Sequence, residues 1–221
     1  MNDDSQGSLD LKRILLLFCH PALEKSRIHR TILSEARDLF EGDFPITFHD
    51  LYQCYPDFFI NVKREHELLL NHDIIIFQHP FYWYSGPSLL KEWMDQVLEY
   101  GFAYGPEGNA LKEKYWLSVL SAGGSRDAYE EAGQNQFAIH EFLRPFQQTA
   151  SLCGMCYLPP FVIYGSTEIK MNFEKNPDCQ TALSQEAKSY KALLKNLVSD
   201  DNDLKSLAVD QYTNQSPEIW K

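Results

Sequence analysis

With 221 residues and 44 % hydrophobic content, the chain can bury about 70 % of its unfolded surface in a single core. A net charge of −11 excludes general nucleic-acid binding, because neutralising phosphates needs a basic face. No run reaches the ~18 apolar residues of a membrane helix, and the acidic, polar start from Met1 to Ser8 is unlike a secretory leader, so a cytoplasmic protein is expected.

In chain order, residues 1–10 carry no periodicity and read as a polar tail before a single domain at 11–199. Strand and helix patterns then alternate five times, the signature of a parallel sheet wrapped by helices. The first strand is expected at 14–19 with a helix at 26–40, and the second strand at 46–51 with a helix at 62–71. The third strand, 73–79, contains the apolar run Ile74 to Phe77, as in strands covered on both faces. Its helix, 88–100, carries Leu89, Leu90, Trp93 and Val97 as one stripe, and Ser85-Gly86-Pro87-Ser88 offers a cap and an early proline. The fourth strand, 115–121, precedes a helix at 137–153, in which Pro145 either kinks the helix or marks its true start. Gly154 closes that helix. A fifth strand at 161–164 leads to a helix at 181–198 with Leu183, Ala187, Tyr190, Leu194 and Leu197 on one face. Residues 200–221 read as a C-terminal tail.

Five cysteines, Cys19, Cys54, Cys153, Cys156 and Cys179, are an odd number spread widely, which suits reduced thiols better than a disulfide framework. Cys153 and Cys156 have the spacing of a redox pair or half a zinc site, yet no second such pair exists. His20 has no partner at ligand spacing, so no metal is expected.

Three loops at the carboxyl ends of strands line up where open α/β sheets place their ligands. In the first, Ser26 can cap a helix whose free N–H groups and positive dipole end suit a phosphate, and Lys25, Arg27, His29 and Arg30 add local positive charge. A plain exposed basic helix start fits the same residues. The second loop is the turn Phe81, Tyr82, Trp83 and Tyr84, too short to bury four rings. These rings either flank a flat aromatic ligand or cover the sheet edge or a dimer contact. The third, Ser121-Ala122-Gly123-Gly124, permits close backbone approach, and its N–H groups can donate to a heterocycle that becomes anionic on reduction. Read alone it is equally a tight turn. Together the loops describe a flavin mononucleotide site at the switch point of a flavodoxin-like sheet.

The motifs carry a family resemblance. His20-Pro21 with Ser26 downstream, His49-Asp50-Leu51-Tyr52, Tyr55-Pro56-Asp57-Phe58-Phe59, Gln78 to Ser85, Leu89 to Trp93, Gly101-Phe102-Ala103-Tyr104-Gly105 and Leu158 to Phe161 are similar to the flavodoxin-like NAD(P)H:quinone oxidoreductases. Within them the chain most resembles the ancillary flavoproteins of glutathione-gated Kef potassium-efflux systems. The resemblance implies an α/β flavodoxin-like fold, with a five-stranded parallel sheet in the order 2-1-3-4-5 and helices on both faces. It implies a homodimer with FMN, or less readily FAD, at each site, and hydride transfer from NAD(P)H through the flavin to a quinone or other electrophile. It further implies docking to a membrane potassium-efflux transporter, at the inner face of the membrane. A flavin-bound regulatory subunit of such a transporter, with incidental reductase activity, is the second reading.

By position in that resemblance, Ser26, Arg27, Ile28 and His29 match the phosphate loop, with His20 as its leading histidine. Pro80, Phe81, Tyr82 and Trp83 match the flavin-flanking turn, and Ser121, Ala122, Gly123 and Gly124 the pyrimidine-side loop. Tyr129 matches a tyrosine near the flavin carbonyl and is expected, with Gly123 and Gly124, to stabilise the reduced ring. Asn135, beside Gln134, stands where related reductases carry a histidine, and His140 lies too far along to replace it, which leaves the proton relay open. His29 stands in place of an asparagine, and Ser121-Ala122 in place of two threonines. Trp93, Trp116, Phe102 and Tyr104 are expected to form an aromatic interaction surface, with 101–105 near the partner's flavin site.

Overall fold

The computed structural model describes residues 11–199 and 204–208. The tails expected at 1–10 and 200–221 lie outside these residues, apart from one helical turn. The elements in chain order are β1 (Ile14–Phe18), α1 (Arg27–Glu35), α2 (Arg37–Glu41), β2 (Ile46–Asp50), α3 (Leu51–Cys54), α4 (Val62–Leu70), β3 (Ile74–Pro80), α5 (Ser88–Val97) and β4 (Tyr115–Ser121). Then come α6 (Ile139–Phe142), α7 (Arg144–Leu152), β5 (Cys156–Tyr157), β6 (Phe161–Ile163), α8 (Ser166–Asn172), α9 (Pro177–Val198) and α10 (Leu204–Leu207).

Every residue of β1, β3 and β4 is buried, because continuous apolar runs can be covered by helices on both faces. All pairings are parallel, in the order β2-β1-β3-β4, with Ile14 opposite both Ile46 and Ile74, and Ile74 opposite Tyr115. The fifth position is shared. β5 pairs with Tyr115 and Trp116 and β6 with Val119 to Ser121, and between them lie Pro159 and Pro160, which have no N–H to give to a ladder. The flavodoxin-like order expected from the sequence is therefore present, with a sixth strand attached.

The period of two along each strand divides the core. Leu15, Leu17, Ile75 and Phe77 pack with α5 and α7 on one face, and Ile14, Leu16, Ile74 and Ile76 with α1 and α9 on the other. On the first face Glu65 of α4 is fully buried. Its carboxylate accepts from His49 Nε2 at 2.9 Å, the Tyr55 hydroxyl at 2.5 Å and Trp93 Nε1 at 2.8 Å. Burial alone would raise its pKa, but these donors together hold it below the usual carboxylate value.

Several boundaries differ from the pattern in the sequence. The helix expected at 26–40 breaks at Ala36, and the one expected at 137–153 breaks at Leu143, so that Pro145 sits in the first turn of α7, where its missing N–H costs nothing. α5 starts from Pro87 with no side-chain cap, so the serines beside it do not cap it. α9 starts at Pro177, four residues before the helix expected at 181–198, because the Asn176 side chain accepts from Asp178 N–H. α3 and α8, both short, are additional. Trp93 and Trp116 are fully buried, correcting their place in an aromatic surface: Trp93 serves Glu65, and Trp116 stacks on Phe77 with centroids 3.9 Å apart. Phe102 is half-buried on His66, stacked at 3.5 Å, and Tyr104 meets the exposed Tyr100 edge-on.

Candidate functional site

A cleft of about 700 Å³ opens at the carboxyl ends of β1, β3 and β4, within the size range of small-molecule sites. Its floor at β1 leads to α1, which Ser26 caps by accepting from His29 N–H at 3.2 Å. Capping takes that N–H, so the N–H groups of Arg27 and Ile28 remain to face an anion. Arg27 is braced by Glu174 at 2.8 Å and lies 4.3 Å from the Phe173 ring centroid, while Lys25 and Lys170 add positive charge to the same cleft.

The wall after β3 is the aromatic turn. Tyr82 and Ser85 form an isolated antiparallel bridge, closed by Ser85 N–H to Tyr82 C=O at 3.0 Å, around Trp83 and Tyr84 at φ +50° and +62°. Two left-handed residues in a two-residue turn are the province of Asn-Gly. Two bulky aromatics there are strained by about 1–2 kcal/mol each. The turn leaves Tyr82 lining the cleft and sends Trp83 into solvent at 93 % exposure. Tyr84 stacks on Phe142 at 4.9 Å and donates to Asn135 Oδ1 at 3.2 Å.

The third wall follows β4. The carbonyls of Ala122, Gly123 and Gly124 accept from Ser166, Thr167 and Gly165 N–H, which ties this loop to the start of α8. A Cβ on Gly123 would sit 3.2 Å from Thr167 Oγ1, and one on Gly124 3.1 Å from Ala128 Cβ, so the glycines let the loop pack this closely. Tyr129 is buried among Phe81, Phe142 and Tyr164. Burial pushes its hydroxyl pKa up, partly offset by the nearby Gly124 N–H.

Of the residues expected at the site, His20, Ser26, Arg27, Ile28, Pro80, Phe81, Tyr82, Ser121 and Gly123 line the cleft. His29, Trp83, Ala122, Gly124 and Tyr129 do not. The His29 side chain is fully buried behind the wall, with Nε2 at 2.9 Å from Ser121 Oγ and Nδ1 at 3.3 Å from Gln78 Nε2, and Gln78 Oε1 in turn meets the Tyr190 hydroxyl at 2.6 Å. Burial, and then the neighbouring His20 and His79, hold His29 well below the usual imidazole pKa. His20 is lowered more mildly, burial outweighing Glu24, and its Nδ1 accepts from Ala22 N–H at 3.1 Å. Ser166, Thr167, Lys170 and Met171 also line the cleft and escaped the sequence reading. The one local signal for them was the turn residue Gly165, two residues past the end of β6 and at φ +72°.

A family profile described as the flavodoxin-like fold matches residues 12–187. Over 178 residues, 80 % of this chain and 90 % of the relative, the chain is 44 % identical to the glutathione-regulated potassium-efflux system ancillary protein KefG of Pectobacterium carotovorum subsp. carotovorum (strain PC1). Among solved structures it is similar to general stress protein 14 of Treponema denticola in complex with FMN, with 33 % identity and a TM-score of 0.73 over 84 % of this chain and 99 % of that one. It is also similar to an NADPH-quinone reductase of P. pentosaceus, with 31 % identity and a TM-score of 0.69 over 83 % of this chain and 98 % of that one.

Proposed function

This chain belongs to the flavodoxin-like fold family, with KefG ancillary proteins among its relatives, and we propose that it binds FMN and reduces quinones or related electrophiles with NAD(P)H. The observation that carries this reading is the single cleft in which a capped helix start, an aromatic turn and a glycine loop meet. The residues present fit the group. Ser26, the N–H groups of Arg27 and Ile28, and Lys25 and Lys170 would hold the phosphate. Pro80, Phe81 and Tyr82 would flank the ring, and Ser121 and Gly123 would border its polar edge. FAD would need a further adenine site, and FMN fills the roles named. When bound, the flavin would supply the hydride chemistry between nicotinamide and quinone.

The protein's part is positioning and charge. The Gly123 N–H and the Tyr129 hydroxyl are the proposed stabilisers of negative charge on the reduced ring, Tyr129 at the back of the loop through Gly124. Asn135 accepts from Tyr84 and has no titrating proton of its own, so solvent would supply protons to the acceptor. A homodimer near twice 25.6 kDa, with 101–105 beside the partner's site, belongs to the same proposal, and light scattering that finds monomer alone at micromolar concentration would contradict it. The absorbance spectrum tests the core of the reading: oxidised flavin gives bands near ~370 and ~450 nm, and a colourless protein that takes up no FMN on titration refutes it.

A second reading is favoured by the 44 % identity to KefG. The flavin-bound protein would act as a regulatory subunit of a potassium-efflux transporter at the inner face of the membrane. No helix among the described residues is long and apolar enough to cross a membrane, so attachment would run through the transporter. Co-purification with the transporter, alongside menadione turnover in its absence, separates the two readings.

A further inference from the structure

One line of buried side chains reaches the cleft at Ser121, and its hydrogen-bond direction can be worked out from its far end. Tyr190 on α9 is fully buried, and among the described residues Gln78 is the one hydrogen-bond partner of its hydroxyl. A buried O–H proton without an acceptor costs more than a typical hydrogen bond gains, so Tyr190 donates and Gln78 presents its carbonyl to it. The Gln78 amide nitrogen then faces His29 Nδ1, which accepts. A neutral imidazole has one proton, so it lies on Nε2 and is donated to Ser121 Oγ. With its oxygen accepting, the Ser121 hydroxyl keeps its own proton for whatever lies in the cleft it lines.

The reverse polarity fails at Tyr190. Turning the Gln78 amide over would make Tyr190 an acceptor, strand its proton in the core, and turn Ser121 into a donor to His29 that offers a ligand lone pairs alone. We infer that Tyr190, Gln78 and His29 are positioning residues that fix Ser121 as a hydrogen-bond donor, so that the cleft selects a ligand presenting an acceptor atom at that point. Burial keeps His29 neutral, as a single-proton imidazole in this role must be. The identity of the ligand rests on the FMN reading: a flavin carries acceptors along its pyrimidine edge and ribityl chain, and a ligand presenting a donor there would meet proton against proton.

The test begins without ligand. In the flavin-free full chain labelled with [15N]histidine, with the His29 signal assigned by its loss in His29→Asn, the proton is expected on Nε2, and a proton on Nδ1 overturns the inference. Tyr190→Phe removes the donor that orients Gln78 while leaving the cleft residues in place. It should shift His29 to a mixture of tautomers and weaken FMN binding about three- to tenfold in a fluorescence titration; an unchanged tautomer, even with a lowered melting temperature, overturns the inference. Ser121→Ala should weaken FMN binding about five- to tenfold and Ser121→Thr should retain it, and equal affinities for all three proteins overturn the donor role. Failure of the wild type to bind FMN would refute the flavin reading, and the tautomer measurement would still decide the hydrogen-bond line by itself.

Discussion

On one face of the sheet Glu65 accepts hydrogen bonds from His49, Tyr55 and Trp93; on the other, hydrogen-bond donation runs in one direction from Tyr190 through Gln78 and His29 to Ser121 at the cleft. The first cluster is closed. Every donor points at one carboxylate, and the side chains come from β2, the loop after α3, α4 and α5, so what it does is tie those elements together. The second is open, because its last member retains a proton and borders solvent-accessible space. A saturated polar cluster fixes structure, whereas a directed one that ends at a cleft fixes what that cleft can bind.

The largest expected effect strikes the closed cluster. Glu65→Ala leaves three buried donors without an acceptor and should cost about 3–5 kcal/mol in urea unfolding, with FMN affinity of the folded fraction nearly unchanged. A loss of affinity to match would show that the two faces are coupled and break the comparison.

Acid should act next, and in a known direction. His79 is fully buried, its Nε2 has no hydrogen-bond partner among the described residues, and burial pushes its pKa down from 6.5 to about 4. The unfolded chain therefore takes up a proton at a higher pH than the folded one. Stability is full above about pH 6.5 and should fall by about 3 kcal/mol as pH drops toward 4. The lowered carboxyl pKa of Glu65 works in the same direction at still lower pH. Melting temperatures across pH 4–7 for wild type and His79→Gln check this, and parallel curves for the two proteins would remove His79 as the cause.

The open side is probed at the helix start. Ser26→Glu sets a carboxylate against the ligand phosphate and should weaken FMN binding about a hundredfold. The cost in stability should be within about 1 kcal/mol, the ordinary worth of a cap. Circular dichroism beside a flavin titration separates the two, and undiminished flavin uptake would place the phosphate elsewhere.

The smallest effect is expected outside both clusters. Trp83 is almost fully exposed at positive φ, so Trp83→Gly relieves strain without emptying any packing and should raise stability by about 0.5–1 kcal/mol. Flavin affinity should not move. A stability loss instead would mean that the ring is covered, as in a dimer or a complex with a partner.

Much of this was legible in the residues because it is local. The continuous apolar runs of β1, β3 and β4, the Ser26 cap and the stripe on α5 each lie within one element, and the alternation of elements prescribes a parallel sheet. The three loops of the site follow from that, since parallel strands put their carboxyl ends on one edge. Trp116, and Trp93 despite its place in the α5 stripe, also read as part of a surface, because an aromatic in sequence carries no sign of the distant carboxylate or ring that will bury it. Likewise His29 read as a phosphate ligand from its place at a helix start. Only folding brings its ring to Ser121, 92 positions away, and brings Gln78 to Tyr190 across 112. Sequence patterns report the period of one element against its own backbone, and so they determined which elements form and where the cleft lies. The partners of buried polar side chains are set by packing between elements remote in the chain, so the tertiary structure alone decided which residue offers the ligand a proton.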